Sequence, residues 1–228
     1  MNELIAVVDD EKSILELTSI HLKKFGFRVA TFTTAQEYLT FIEKTIPDVT
    51  ILDLMLPDMD GMDLCKQLRR EQKYDMMSIV ILSGRVDESD TILGLELGAD
   101  DYVKKPFSPK ELTVRVKKLL RRQSSQPSNP KNEINIENKI VIDIDRYEVR
   151  VEDEIVSLTP TEYRILKMLA EKEGNVLKRE EILYNLWGNE KIVVDHTVDV
   201  HIKHLREKLG KYASLVKNVR GVGYKLDI

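Results

Sequence analysis

Five polar residues stand at matching places in the first half of the chain. Asp9 and Asp10 close an apolar run in AVVDDE, Asp53 closes another in VTILDLMLPDMDG, Ser83 closes a third in VILSG, and Lys105 follows a fourth in DYVKKPF. A carboxylate inside a strand is costly unless a charge meets it, whereas at a strand's carboxyl end it can face a crevice. Three carboxylates brought together repel one another and rise in pKa unless a cation neutralises them. Mg²⁺ is the economical cation, because it accepts one or two carboxylates, a carbonyl and retained waters. With a hydroxyl and a lysine beside it, such a cluster is suited to holding a phosphoryl group on an aspartate.

The elements around these residues can bring them to one edge. The short apolar runs LIAVV, FRVATF, VTIL, IVIL and DYV alternate with the amphipathic stretches SILELTSIHLKKF, TAQEYLTFIEK, MDLCKQLRREQ, ESDTILGLELG and PKELTVRVKKLLRR. That alternation predicts an α/β domain, a doubly wound five-stranded parallel sheet covered on both faces, with ligands beyond the carboxyl ends of the strands. The stretch RRQSSQPSNPKN is polar, carries two prolines and lacks apolar periodicity, which reads as a flexible linker. The expected organisation is a first domain over 1–121, a linker over 122–133 and a second domain over 134–228. In the second domain, strand runs in KIVIDIDRY, YEVRVED and EIVSL precede three helices and a terminal hairpin, SLVKNVRGVGYKLDI. The helices lie in LTPTEYRILKMLAEKEG, with Thr159 as cap, in KREEILYNLW and in DHTVDVHIKHLREKLG. This order predicts an α+β winged helix-turn-helix.

Composition sets limits on function. The chain has 228 residues, 42% hydrophobic and 32% charged, a profile for soluble domains with cores of their own. No apolar run approaches the ~18 residues of a membrane span, and the N-terminus lacks the order of a signal peptide. A single cysteine, Cys65, excludes an internal disulfide, fits a reducing cytoplasm and sits where packing is expected. Net charge is −4, yet residues 191–228 hold 8 Lys or Arg against 4 Asp or Glu, an asymmetry that permits nucleic acid at that end.

Helical geometry divides the third of those helices. Val198, Ile202, Leu205 and Leu209 form an apolar stripe, while His196, Thr197, Val200, His201, Lys203, His204 and Lys208 are expected around the opposite arc, where they could meet bases and phosphates. Arg220 at a Gly-rich hairpin tip suits a minor groove, Arg206 suits a brace, and Trp187 suits the core. Asp58, Asp60 and Asp63 read as loop and helix-start acids.

Taken together, VVDDE, LDLMLPDMDG, LSG and GADDYVKKPF resemble the receiver domain of two-component response regulators, whose fold is flavodoxin-like, over about residues 3–121. LTPTEYRIL, TVDVHIKHLREKLG and VRGVGYKL resemble the effector domain of the OmpR/PhoB subfamily over about residues 134–228. The resemblance implies a cytoplasmic, DNA-binding transcriptional regulator without direct membrane contact. It would be phosphorylated on Asp53 by a sensor histidine kinase and catalyse only its own Mg²⁺-dependent phosphorylation and dephosphorylation. By the same resemblance Asp10, Asp53 and the Met55 carbonyl bind Mg²⁺, with Asp9 acting largely through water. Ser83 and Lys105 hold phosphoryl oxygens, Tyr102 turns inward on activation, and the Lys105–Pro106 bond is cis. Partners would be double-stranded DNA, RNA polymerase at the GNEKIVV loop, and a second copy after phosphorylation. Glu96, Asp100, Asp101, Arg115 and Arg122 are the charges expected at that twofold interface. Because ESDTILGLELG lacks basic residues, Glu96 and Asp100 are expected to be short of partners and the dimer to be weak. A haloacid-dehalogenase-type phosphatase would need a second carboxylate two residues after Asp53, where this chain has Met55. A phosphate-independent DNA binder with a vestigial receiver is disfavoured, since Asp9, Asp10, Asp53, Ser83 and Lys105 are all present.

Overall fold

A computed structural model describes residues 3–84, 97–120, 132–188 and 196–227. Most of ESDTILGLELG, with Glu96, lies outside the described residues, as do Arg122, the GNEKIVV loop from Asn189 onward and the side chain of His196. The chain divides into two compact units, Met1–Arg121 and Arg122–Ile228.

The first unit contains β1 (Leu4–Val8), α1 (Lys12–Lys24), β2 (Arg28–Phe32), α2 (Ala35–Ile42), β3 (Val49–Asp53), α3 (Gly61–Arg69), β4 (Ser78–Ser83), β5 (Asp101–Lys104) and α4 (Pro109–Leu120). All strands pair in parallel, in the order β2-β1-β3-β4-β5. β1, β3 and β4 are buried throughout, as a central parallel strand covered on both faces must be, and their apolar runs follow from that. Ile5, Val7, Val49, Ile51, Val80 and Leu82 pack on one face with Leu15 and Leu22 of α1 and Leu112, Val116 and Leu119 of α4. On the other face Thr50 is buried, and its hydroxyl meets Tyr38 Oη of α2 at 2.7 Å. Cys65 is fully buried, as expected of a packing residue.

The second unit opens with a four-stranded antiparallel sheet, β6 (Glu133–Ile136), β7 (Ile140–Asp143), β8 (Glu148–Val151) and β9 (Glu154–Val156). Three helices follow, α5 (Pro160–Glu171), α6 (Arg179–Trp187) and α7 (His196–Leu209), with the two-residue strand β10 (Leu177–Lys178) between the first two. β11 (Val216–Val219) and β12 (Gly223–Leu226) form the terminal hairpin, and β10 joins its edge. α5 begins at a capping box in which Thr159 and Glu162 satisfy each other's backbone N–H, followed by Pro160. Ile140, Ile142, Leu166, Leu169, Ile182, Trp187 and the α7 stripe Val198, Ile202, Leu205 and Leu209 share one core.

Candidate functional site

Register alone brings the acidic residues, Ser83 and Lys105 together. Val8 pairs with Leu52, so Asp9 emerges beside Asp53; Asp53 pairs with Leu82, so Ser83 emerges next; and Ser83 pairs with Lys104, one residue before Lys105. The Lys105 N–H donates to Ser83 O at 2.7 Å and fixes that last step. The strand order reverses direction at β1 and β3, so Asp9 and Asp53 stand at the switch point where a doubly wound sheet opens its ligand crevice.

Within the crevice, Lys105 Nζ lies 2.8 Å from Asp9 Oδ2 and 2.9 Å from Asp53 Oδ2, with Glu11 Oε1 at 3.4 Å. Asp9 and Asp53 are buried and Asp10 is exposed, and one carboxylate oxygen of each falls within 4.8 Å of the others. Burial pushes Asp9 above the usual carboxylate range, although the hydrogen bond from Lys105 opposes it. Burial would also lower Lys105, but its hydrogen bonds to Asp9 and Asp53 outweigh this and hold the ammonium above its ordinary value. Three carboxylates against one ammonium leave an excess of negative charge in a partly desolvated pocket. That donor set of hard oxygens fits a divalent cation.

The loop after Asp53 is shaped by Gly61. A Cβ there would stand 2.2 Å from Asp53 O and 2.7 Å from Leu54 Cα, so only glycine lets α3 start against the backbone that carries Asp53. Gly61 N–H donates to Leu54 O at 2.9 Å, and Met55 bridges Asp60 across the loop. Asp60 caps α3 at Met62 N, 2.8 Å away, Asp58 accepts from Ala35 N and Gln36 N, and Asp63 lies in the first turn of α3. These acids occupy the loop and helix-start roles expected of them. Tyr102 lies inward, 2% exposed, and its hydroxyl finds no hydrogen-bond partner among the described residues. The Lys105–Pro106 bond is cis.

Three of the charges expected at a subunit interface, Asp100, Asp101 and Arg115, are committed inside the chain. Asp100 is buried and accepts from Arg69 Nη2 at 2.8 Å and from Ile79 N at 2.9 Å, so it does not lack a partner. Arg69 also donates to Gly98 O at 2.8 Å and Tyr74 O at 2.9 Å. Asp101 is held by Arg115 Nη1, 3.0 and 3.1 Å from its two oxygens, and Arg115 reaches Glu111 as well. Both pairs satisfy within one subunit what the sequence suggested a second subunit would supply.

In the second unit the outer arc of α7 is narrower than expected. Thr197 and His201 are buried, at 1% exposure each, and the His201 ring lies 6.0 Å from that of Trp187. At 3.6 residues per turn His201 stands only about 40° from Leu205, inside the apolar stripe rather than opposite it. Lys208 is turned aside by a 3.0 Å ion pair with the buried Glu162 of α5. Val200 and His204 remain partly exposed, and Lys203 and Arg220 are exposed. Arg206 braces α7 through a hydrogen bond from its Nε to Val216 O, 3.0 Å, as expected.

Lys178 and Arg179 were not anticipated. Gly223 admits β10 to the hairpin, because a Cβ on it would meet Leu177 O at 2.0 Å, and Lys178 consequently pairs with Gly223 next to Arg220. Lys178, Arg179, Asn218 and Arg220 line an open cleft of about 630 Å³. Arg179 is oriented by Asp199 Oδ1 at 2.7 Å, and the Tyr224 hydroxyl donates to the same oxygen at 2.7 Å. The signal was the helix-start sequence LKRE, which by itself reads as a first turn.

The match to known proteins follows this division. Residues 5–117 match the family model described as "Response regulator receiver domain", and residues 152–226 match "Transcriptional regulatory protein, C terminal". A receiver joined to such a domain defines a response regulator that acts as a transcription factor. The chain belongs to the OmpR/PhoB family of these regulators. It is 42% identical to the alkaline phosphatase synthesis transcriptional regulatory protein PhoP of Bacillus subtilis (strain 168), covering all of this chain and 98% of that one. It is 39% identical to the regulatory protein VanR of Enterococcus faecium, covering both chains fully. Among solved structures, DrrB, an OmpR/PhoB homologue of Thermotoga maritima, aligns over the full length of both chains with 33% identity and a TM-score of 0.52. The protein is therefore a phosphorylation-controlled transcriptional regulator of a two-component system.

Proposed function

We propose that Asp53 is the phosphoacceptor and that Asp9, Asp10, Asp53 and the Met55 carbonyl hold Mg²⁺ beside it. The observation that carries this reading is the position of Lys105 Nζ, shared between Asp9 and Asp53 at the mouth of the sheet, 2.8 and 2.9 Å from their oxygens. A cation already bound to the acceptor carboxylate can move onto a phosphoryl oxygen once that carboxylate becomes an acyl phosphate. Bound Mg²⁺ would offset the repulsion between the carboxylates and the incoming anion. The Asp53 carboxylate forms the new P–O bond as the donor's P–N bond on phosphohistidine breaks. Ser83, at the next strand end, donates its hydroxyl to a phosphoryl oxygen, and Tyr102 occupies the inward position associated with activation. Asp10→Ala is expected to abolish labelling by acetyl phosphate in the presence of Mg²⁺ without unfolding the chain, because it removes an exposed ligand and no packing. Labelling at the wild-type rate would exclude Asp10 from the site.

Partners follow from the family. A sensor histidine kinase supplies the phosphoryl group, and double-stranded DNA is bound through Val200, Lys203 and His204 of α7 and through Arg220, with Lys178, Arg179 and Asn218 meeting the adjacent backbone. RNA polymerase meets the loop that precedes α7. Among the described residues no helix is long and apolar enough to cross a membrane, which is compatible with the cytoplasmic setting of such regulators. Each lysine or arginine that contacts a phosphate adds about 0.9 to the slope of log affinity against log salt. Lys203→Ala and Arg220→Ala should therefore each weaken binding and flatten that slope by about 0.9, read by anisotropy on a fragment selected from a random pool. An unchanged slope in both variants would remove these residues from the interface.

The dimer is expected to depend on phosphate. With Asp100 and Asp101 paired internally, a twofold contact must exchange existing ion pairs for equivalent ones across the axis, which gives little net gain. Sedimentation should show monomer before phosphorylation and a reversible dimer after it. A tight dimer of the unphosphorylated chain would contradict this.

A further inference from the structure

We infer that Asp58 is a positioning residue that holds the Met55 carbonyl in place for the metal, an inference that rests on the phosphoryl site proposed above. The loop from Met55 to Asp60 is closed at its feet by the Met55–Asp60 bridge and the Gly61 N–H to Leu54 O bond of 2.9 Å. Its crown is tied to a different element. Asp58 Oδ1 accepts from Ala35 N at 2.9 Å and Oδ2 from Gln36 N at 2.9 Å, so both carboxylate oxygens are committed to the first turn of α2. α2 is itself fixed without Asp58, because Thr34 Oγ1 accepts from Glu37 N at 3.2 Å and Glu37 Oε2 accepts from Thr33 N at 3.1 Å.

The tie matters because a backbone carbonyl has no side-chain rotamer to set its direction. Only the course of the loop aims it. The Met55 side chain is 64% exposed and cannot anchor the peptide by packing. Pro57 carries no N–H and adds no backbone donor to the arch. A two-point carboxylate contact onto a rigid helix terminus removes the rotation that the bridge at the feet leaves open. The favourable meeting of an anion with the helix N-terminus strengthens the hold.

Calorimetric titration of the full chain with Mg²⁺ alone tests this, alongside thermal unfolding of each variant. Asp58→Ala is expected to weaken Mg²⁺ binding about tenfold, the lower end of what outer-shell partners of metal ligands contribute. Asp58→Asn, which keeps one acceptor oxygen, should fall between wild type and Asp58→Ala. Thr34→Ala removes the cap of α2 without touching the loop, and should lower the unfolding temperature while leaving Mg²⁺ affinity unchanged. Three results would overturn the inference: equal affinity in Asp58→Ala and wild type, equal loss in Asp58→Asn and Asp58→Ala, or an equal loss in Thr34→Ala. Absence of Mg²⁺ binding by the wild type, or its persistence in Asp10→Ala, would instead sink the metal site on which the inference rests.

Discussion

Replacing Asp53 by Asn in the full chain is expected to abolish phosphoryl labelling by acetyl phosphate and Mg²⁺, and with it any gain in DNA affinity on exposure to the donor. The amide keeps the shape of the carboxylate and one acceptor for Lys105, now 2.9 Å from Asp53 Oδ2, but it is no nucleophile. It also removes one of three crowded negative charges, so the receiver should unfold no earlier than wild type. The loss of labelling should be at least about a hundredfold, since an amide cannot form an acyl phosphate and the neighbouring Asp9 and Asp10 are assigned to the metal rather than to the phosphoryl group. Residual labelling at the wild-type rate would move the acceptor elsewhere. A loss of labelling accompanied by unfolding would leave the assignment to be decided by direct location of the phosphate.

Arg69→Ala is expected to destabilise the receiver strongly. It would leave the Asp100 carboxylate, whose side chain is 0% exposed, without its 2.8 Å ion-pair partner. The carbonyls of Gly98 and Tyr74 would lose a donor as well. Breaking a buried pair from one side costs about 3–5 kcal/mol, because an uncompensated charge remains in a low dielectric. Calorimetry of the full chain should show the receiver transition lowered at every protein concentration, with the effector transition unmoved. Trp187 gives an independent check, since the single tryptophan sits in the effector core and its fluorescence should report no change. If Arg69→Ala or Asp100→Ala changed only self-association and left the receiver transition where it was, Asp100 would belong to the interface after all.

Most of the candidate site was legible in the sequence because parallel strands buried on both faces announce themselves as apolar runs, and whatever polar residue ends a run must stand at one edge. Asp9, Asp53, Ser83 and Lys105 follow from that rule. The cap at Thr159 and the stripe of Val198, Ile202, Leu205 and Leu209 were equally plain, since each depends on local spacing. What escaped depends on partners remote in sequence. Asp100, Asp101 and Arg115 read as interface charges because sequence spacing does not show that Arg69 meets Asp100, or Arg115 meets Asp101, within one chain. Lys178 and Arg179 read as a helix start because Arg220, which the hairpin brings beside them, lies more than forty residues on. His201 differs for another reason: its polar type suggests the outer arc, but its angle places it inside the apolar stripe. β6 was missed because EINI offers only two apolar residues directly after a polar linker, and its strand character comes from pairing with β7.

The most direct test locates the phosphate itself. The wild-type chain is incubated with acetyl phosphate and Mg²⁺, the acyl phosphate is reduced with borohydride to homoserine, and the peptides are mapped by mass. Homoserine at position 53, dependent on both the donor and Mg²⁺, is the predicted result. Homoserine at Asp9, Asp10 or another carboxylate, or none under conditions where the chain becomes labelled, would contradict the assignment of Asp53 as the acceptor.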